Sequence, residues 1–146
     1  MQESGTYMPP KPAASRPGPV REWARWVGSR DERLRRLLAA FWIAAGVNHL
    51  VNPRIYESIM PDYLPAHREL VLASGVAEII GGAAVMPAGT RRFARWWLLG
   101  VLAAVYPANI HMTLHPERYE RIPPLALWAR LPLQFLCAWW VWRATE

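Results

Sequence analysis

LVLASGVAEIIGGAAVM, residues 70–86, is the stretch on which the fold of this chain turns. Apolar and small residues fill it, Pro87 and Gly89 close it, and a single carboxylate, Glu78, stands near its middle. No alternation of apolar and polar residues marks a strand, and the run is too long for one, so it reads as a helix. Ser74, Gly75, Gly81 and Gly82 lie three or four residues from Glu78. That spacing puts them on the face that carries the carboxylate, where small side chains let another helix approach closely.

Three comparable runs flank it: Leu34–Val51, Phe93–Thr113 and Pro123–Trp142. A membrane span needs about 20 residues, with a range of about 17–25, and each run reaches that length with its flanks. The expected fold is therefore all-α: a four-helix transmembrane bundle over residues 33–146. Residues 1–19, with five prolines among small polar residues, read as a disordered tail. Within 20–32, VREWARWVGSRDE, Trp23, Trp26 and Val27 fall at helical spacing, which suits a short helix on an anionic membrane surface. The loop after the first run holds Ile55, Ile59 and Met60 between Pro53 and Pro61. It is expected to form a short interfacial helix, with Tyr56 and Tyr63 at headgroup level.

The 146 residues suit one domain, and their mean hydropathy of +0.00 averages two unlike parts. Residues 1–36 hold 8 of the 17 basic residues, which leaves the rest of the chain nearly balanced in charge. A pI near 10.2 raises nucleic acid as a partner. The arginines sit at the edges of apolar runs rather than on one soluble face, so no nucleic-acid role is expected. Cys137 is the only cysteine, which excludes a disulfide framework and a Cys-x-x-Cys zinc or redox motif, and no metal site is expected.

Arginine placement sets the orientation. With both termini cytoplasmic, the inner side carries 12 basic residues, among them Arg33, Arg91, Arg92, Arg95 and Arg143. The outer side carries four: Arg54, Arg68, Arg118 and Arg121. This is the bias of a multi-pass membrane protein. Trp96, Trp97, Trp139, Trp140 and Trp142 fall near the inner interface, where indoles prefer to lie.

The candidate site residues are the polar groups inside the spans: His49, Glu78, Asn109, Arg130 and Gln134. Charge within a span is costly, so such residues face the bundle interior. Glu78 lies eight residues after Leu70, and Arg130 seven after Pro123. At about 1.5 Å per residue both sit roughly 10–12 Å below the outer edge, so they are expected to pair. His49, Asn109 and Gln134 can join them at that level, beneath the loop. Two readings stand: a ligand site under an apolar roof, or a buried pair and hydrogen bonds that only fix helix register. His111 points away from Asn109 and is peripheral. Pro107 and Pro132 free the carbonyls of Ala103 and Trp128 and loosen the backbone there.

AGVNHLVNP at 45–53, MPDYLP at 60–65, SGVAEIIGG at 74–82, RRFARWWLL at 91–99, YPANIHM at 106–112 and RLPLQF at 130–135 occur in an order that resembles the DoxX family of small bacterial membrane proteins. The resemblance implies a four-helix membrane bundle in the bacterial inner membrane. It also implies a link to quinone-dependent oxidation of sulfur compounds and to membrane oxidoreductase complexes. The function expected is a non-catalytic subunit that binds a quinone-like or lipidic molecule or docks a membrane redox enzyme, with lipid as its surroundings. The alternatives are a quinone-linked oxidoreductase subunit that moves protons through Glu78 or His49, and a purely structural membrane protein. No dinucleotide loop, haem signature or Cys pair supplies an electron carrier, so no independent activity is expected. The sequence does not name an oligomeric state.

Overall fold

Apolar runs punctuated by proline become helices throughout. The computed structural model describes the backbone of residues 19–119 and 122–146, and the side chains of residues 30–119 and 122–146. Its elements are α1 (Pro19–Val51), α2 (Pro53–Glu57), α3 (His67–Ala84), α4 (Arg91–Leu114) and α5 (Pro124–Ala144). Among the described residues there is no strand. Proline sets several of the boundaries. Pro53 and Pro124 open α2 and α5, where a missing N–H costs nothing. Pro107 and Pro132 lie inside α4 and α5, and the helices run through them. Ala66 caps the start of α3 with φ 54 and ψ 50, a left-handed conformation that burdens any residue with a Cβ.

The expected short helix over 20–32 is not a separate element. α1 is one helix of 33 residues, because nothing between Pro19 and Val51 breaks it except Gly28, which a helix tolerates. Of the tail expected over residues 1–19, residues 1–18 lie outside the described residues and Pro19 opens α1. The loop helix is present but ends at Glu57, short of the Ile59 and Met60 that were expected to extend it.

α3 packs mainly on α1, and α5 mainly on α4. Contacts of α3 with α4 and of α1 with α5 close the four long helices into a ring. Neighbours run antiparallel. Gly82 lies against Ala39 and Ile43 while Gly75 lies against Gly46 and His49. Arg95 reaches Thr145 while Thr113 reaches Leu127. One end of the ring therefore carries the α3–α4 turn and the Asp31–Arg143 ion pair. The other carries α2 and the α4–α5 connection.

Leu38, Ala39, Trp42, Val85, Ala94, Leu98, Leu102, Val141 and Ala144 form the main core, in the half nearer the Asp31–Arg143 end. Met112, Tyr119 and Leu127 form a smaller core at the α2 end. Outside the ring the pattern reverses. Leu37, Phe41, Val76, Ile80, Trp96 and Leu133 are among many large apolar side chains left exposed. Among the described residues one helix, Ala88–Leu114, is long and apolar enough to cross a membrane by length and composition. Only 22% of its most apolar window is buried inside the molecule, unlike the core helix of a water-soluble protein.

Candidate functional site: two buried polar pairs and a cleft

The first pair arises where α1 and α3 cross. A Cβ placed on Gly75 would lie 2.8 Å from Gly46 O and 2.8 Å from the His49 Cβ, and one on Gly46 would run into Gly75 O. The two backbones are thus in direct contact. Helical side chains lean toward their own N-terminus. On antiparallel helices His49, three residues past Gly46, and Glu78, three past Gly75, therefore lean toward each other. His49 Nδ1 comes 3.3 Å from Glu78 Oε2, with the side chains 14% and 9% exposed. The same Nδ1 lies 3.0 Å from Ala45 O. A carbonyl oxygen can only accept, so Nδ1 carries hydrogen and donates to Ala45 O. The same Nδ1 only approaches Glu78 Oε2, which receives no hydrogen bond.

Tyr56 of α2 covers the pair, its ring stacked on the imidazole at 3.7 Å between centroids. Asn48 Nδ2 donates to the Tyr56 hydroxyl at 2.5 Å, and Asn52 Nδ2 donates to Asn48 Oδ1 at 2.8 Å. α2 is therefore tied to the end of α1 by its tyrosine.

The second pair joins α4 to α5. Asn109 Nδ2 donates to Gln134 Oε1 at 2.8 Å, and Gln134 Nε2 donates to Leu102 O. Thr113, one turn past Asn109, donates to Asn109 O at 2.9 Å and approaches Leu127 O at 3.1 Å. Pro107 leaves Ala103 O without its usual helical donor, one residue from the carbonyl that Gln134 takes.

Arg130 does not pair with Glu78. Its Nη1 contacts Met112 Sδ at 3.4 Å, and the side chain that faces Glu78 is His49. Equal depth was not enough, because α3 turns Gly75, Gly82 and its carboxylate to α1, while Arg130 lies on the α4 side of α5. The five-residue level resolves into His49–Glu78 and Asn109–Gln134, with Arg130 beside Met112. No hydrogen bond or ion pair among the described residues links the two pairs.

A cleft of about 290 Å³ opens between α4 and α5. Leu99, Leu102, Ala103 and Tyr106 line one wall and Gln134, Phe135 and Ala138 the other, at the middle of both helices. Its wall is almost wholly apolar. Gln134 is the one residue of the expected set that lines it, and its amide is already committed to Asn109 and Leu102. Tyr106 meets Phe135 edge-on at 5.7 Å at the rim.

At the α2 end, loops meet over α4. Arg118 pairs with Asp62, Tyr63 meets His111 edge-on at 5.4 Å, and His111 stacks on His115 at 4.3 Å. Burial, with help from nearby Asp62, pushes the Tyr119 phenol above its ordinary value. Among the described residues no group of three His, Cys, Asp or Glu is placed to hold a metal ion. Sequence reasoning named Tyr56 only as a headgroup-level ring of the loop above the polar level, and it missed Gly46 and Asn52. The Gly46-x-x-His49 and Gly75-x-x-Glu78 spacings are the signal that could have found the crossing.

Residues 38–145 match the family described as Domain of unknown function (DUF8561). The chain belongs to that family. No curated protein and no solved structure matches it. Membership of the DoxX family is overturned, since the matching family is another one and DoxX does not match. The six quoted stretches are short. Proline, glycine and loop arginine at the ends of apolar helices recur in bundles for physical reasons of their own. The link to sulfur oxidation and to a membrane redox complex rested on that resemblance and loses its support.

Proposed function

We propose that this DUF8561 protein is a four-span integral membrane protein with both termini cytoplasmic. It does no chemistry alone and holds an apolar, quinone-like or lipidic molecule in the α4–α5 cleft. The observation that carries this is the inversion of the surface. All four long helices expose large apolar side chains, while Glu78 and Gln134 are buried. A water-soluble monomer rarely exposes a contiguous apolar patch beyond a few hundred Å². α3 and α5 are less apolar than α4 for local reasons. His67, Arg68 and Glu69 open α3. Arg130, Gln134 and four indoles sit in α5, and indole favours the membrane interface despite its low hydropathy. Arg91, Arg92, Arg95 and Arg143 share one end of the ring, which supports that end as cytoplasmic.

The cleft supports the ligand half of the proposal. It lies at mid-helix, where a lipid-facing opening meets hydrocarbon, and an apolar slot beside a freed carbonyl suits an uncharged, elongated molecule. The contact of His49 with Glu78 favours a second reading, proton transfer in a quinone-linked reaction. That pair shares no residue with the cleft wall, so the non-catalytic reading is preferred.

Reporter fusions at Ala88 and Glu117 should report opposite sides, Ala88 inside, and the same side for both refutes the four-span reading. For the ligand, protein purified in mild detergent is extracted and its lipids and quinones are measured. Ala103→Phe fills the cleft from its exposed wall and should reduce retention at least severalfold. Equal retention by wild type and variant refutes the cleft as the site.

A further inference from the structure

The geometry points to a proton-binding site at His49 and Glu78. The pair takes up one proton from the α2 end of the molecule, and the α1–α3 interface is complete only in that form. This stands on different residues from the cleft and does not depend on any ligand there.

The count of protons follows from the contacts. Nδ1 carries a hydrogen because it faces Ala45 O at 3.0 Å. With Nε2 bare, the imidazole is neutral and the pair carries the full charge of Glu78. That carboxylate is 7% exposed, and its Oε2 receives no hydrogen bond. A buried anion without a donor is strongly disfavoured. One further proton on Nε2 removes the imbalance and gives an imidazolium facing the carboxylate at 3.3 Å. The stack on Tyr56 suits that form, since a cationic ring is drawn to an aromatic face.

Among the described residues no other element brings a compensating charge to the pair. On α2, Tyr56 presents its ring, and Glu57 is turned to Arg68 at 3.8 Å. On α3, the Ser74 hydroxyl is spent on Val71 O. From α4, Trp97 donates its indole N–H to Ala77 O, and Leu98 packs against Gly81. Glu78 is the charged group that acts on His49. Toward the other end the space is filled by Trp42, Leu38, Val85 and Leu98, all at most 5% exposed. Toward the α2 end stand Tyr56 and the exposed Asn48 and Asn52. Protons therefore exchange past Tyr56, and the apolar core blocks a path through the molecule.

The test uses the full chain in detergent and in sealed vesicles. Thermal unfolding of the wild type, followed between about pH 5 and pH 9, should show stability falling as pH rises, because proton release leaves a buried charge. Glu78→Gln keeps the shape and needs no proton, so its melting temperature should lose the fall with rising pH that the pair gives the wild type. A pH dependence equal to that of wild type overturns the proposal. Should Glu78→Gln fail to fold, nitrogen NMR of histidine-labelled wild type reads His49 directly, assigned by loss of its signal in His49→Gln. A change of its ring nitrogens with pH supports the site, and unchanged signals overturn it. In vesicles the signal should follow the pH on the α2 side alone. A response to the opposite side overturns the route, and that outcome differs from failure of the ligand reading, which retention in Ala103→Phe reports.

Discussion

Replacing Gly75 by Ala adds one methyl group at the place where α1 and α3 touch. Its Cβ would sit 2.8 Å from Gly46 O, 2.8 Å from the His49 Cβ and 3.3 Å from Leu50 Cδ2. The first of these is backbone and cannot swing aside, so the helices must separate by roughly half an ångström to restore ordinary contact. Forced overpacking costs about 1–3 kcal/mol. Glycine to alanine inside a helix returns up to about 1 kcal/mol of propensity, so the net loss should be roughly 1–2 kcal/mol. Gly100 is the matched control: it too lies within a helix, but nothing stands within 4 Å of its absent Cβ. Gly100→Ala should therefore gain up to about 1 kcal/mol, opposite in sign. Reversible unfolding of both variants in one detergent measures the difference. Equal shifts for the two, or a Gly75→Ala protein more stable than wild type, refute the backbone contact and with it the placing of His49 against Glu78.

Asn109→Leu strips the donor from buried Gln134 Oε1 and should cost about 1–3 kcal/mol, while adding Gln134→Leu should cost less than the sum of the single changes. Additive losses, read by the same unfolding assay, would show that the two side chains do not meet. Ala66→Gly removes a left-handed strain of about 1–2 kcal/mol against an entropic cost of about 0.5–1 kcal/mol, so thermal stability should rise slightly. A fall would place Ala66 in another conformation. The raised pKa of Tyr119 means that the folded protein holds the phenol proton more tightly than the unfolded chain. Its contribution is intact below about pH 10 and is lost as pH rises through the folded value, so Tyr119→Phe should flatten the alkaline limb of the stability curve. An unchanged limb would show that Tyr119 does not titrate there.

The helices were legible because apolar length and proline boundaries act locally. Pro53, Pro87 and Pro123 mark ends that the structure places within a few residues. The merging of 20–32 into α1 was not legible, since an arginine-rich stretch signals an interface and says little about whether the helix stops before the next run. Partner choice was the larger gap. Depth along an axis can be counted from sequence, but rotation about the axis decides which neighbour a side chain meets. Counting gives Glu78 its height but not its partner: the small residues around it permit close approach, and a matching glycine on the neighbour decides which helix comes close. That glycine is Gly46. Asn109 and Gln134 both came from counting, and they meet because α4 and α5 are adjacent in sequence and antiparallel.

The order of the two members of the ion pair along the chain has a consequence for biogenesis in the four-span reading. His49 is made before Glu78, so when α3 reaches the bilayer its carboxylate finds a partner already in place. A partner at Arg130 would arrive 52 residues later by the numbering. At about 5–20 residues per second of synthesis, Glu78 would wait roughly 3–10 seconds beside hydrocarbon. The first helical hairpin thus brings its own partner for the carboxylate on insertion. The second hairpin, held by amides and a thioether contact, can be added afterward without leaving an acidic group stranded in the lipid.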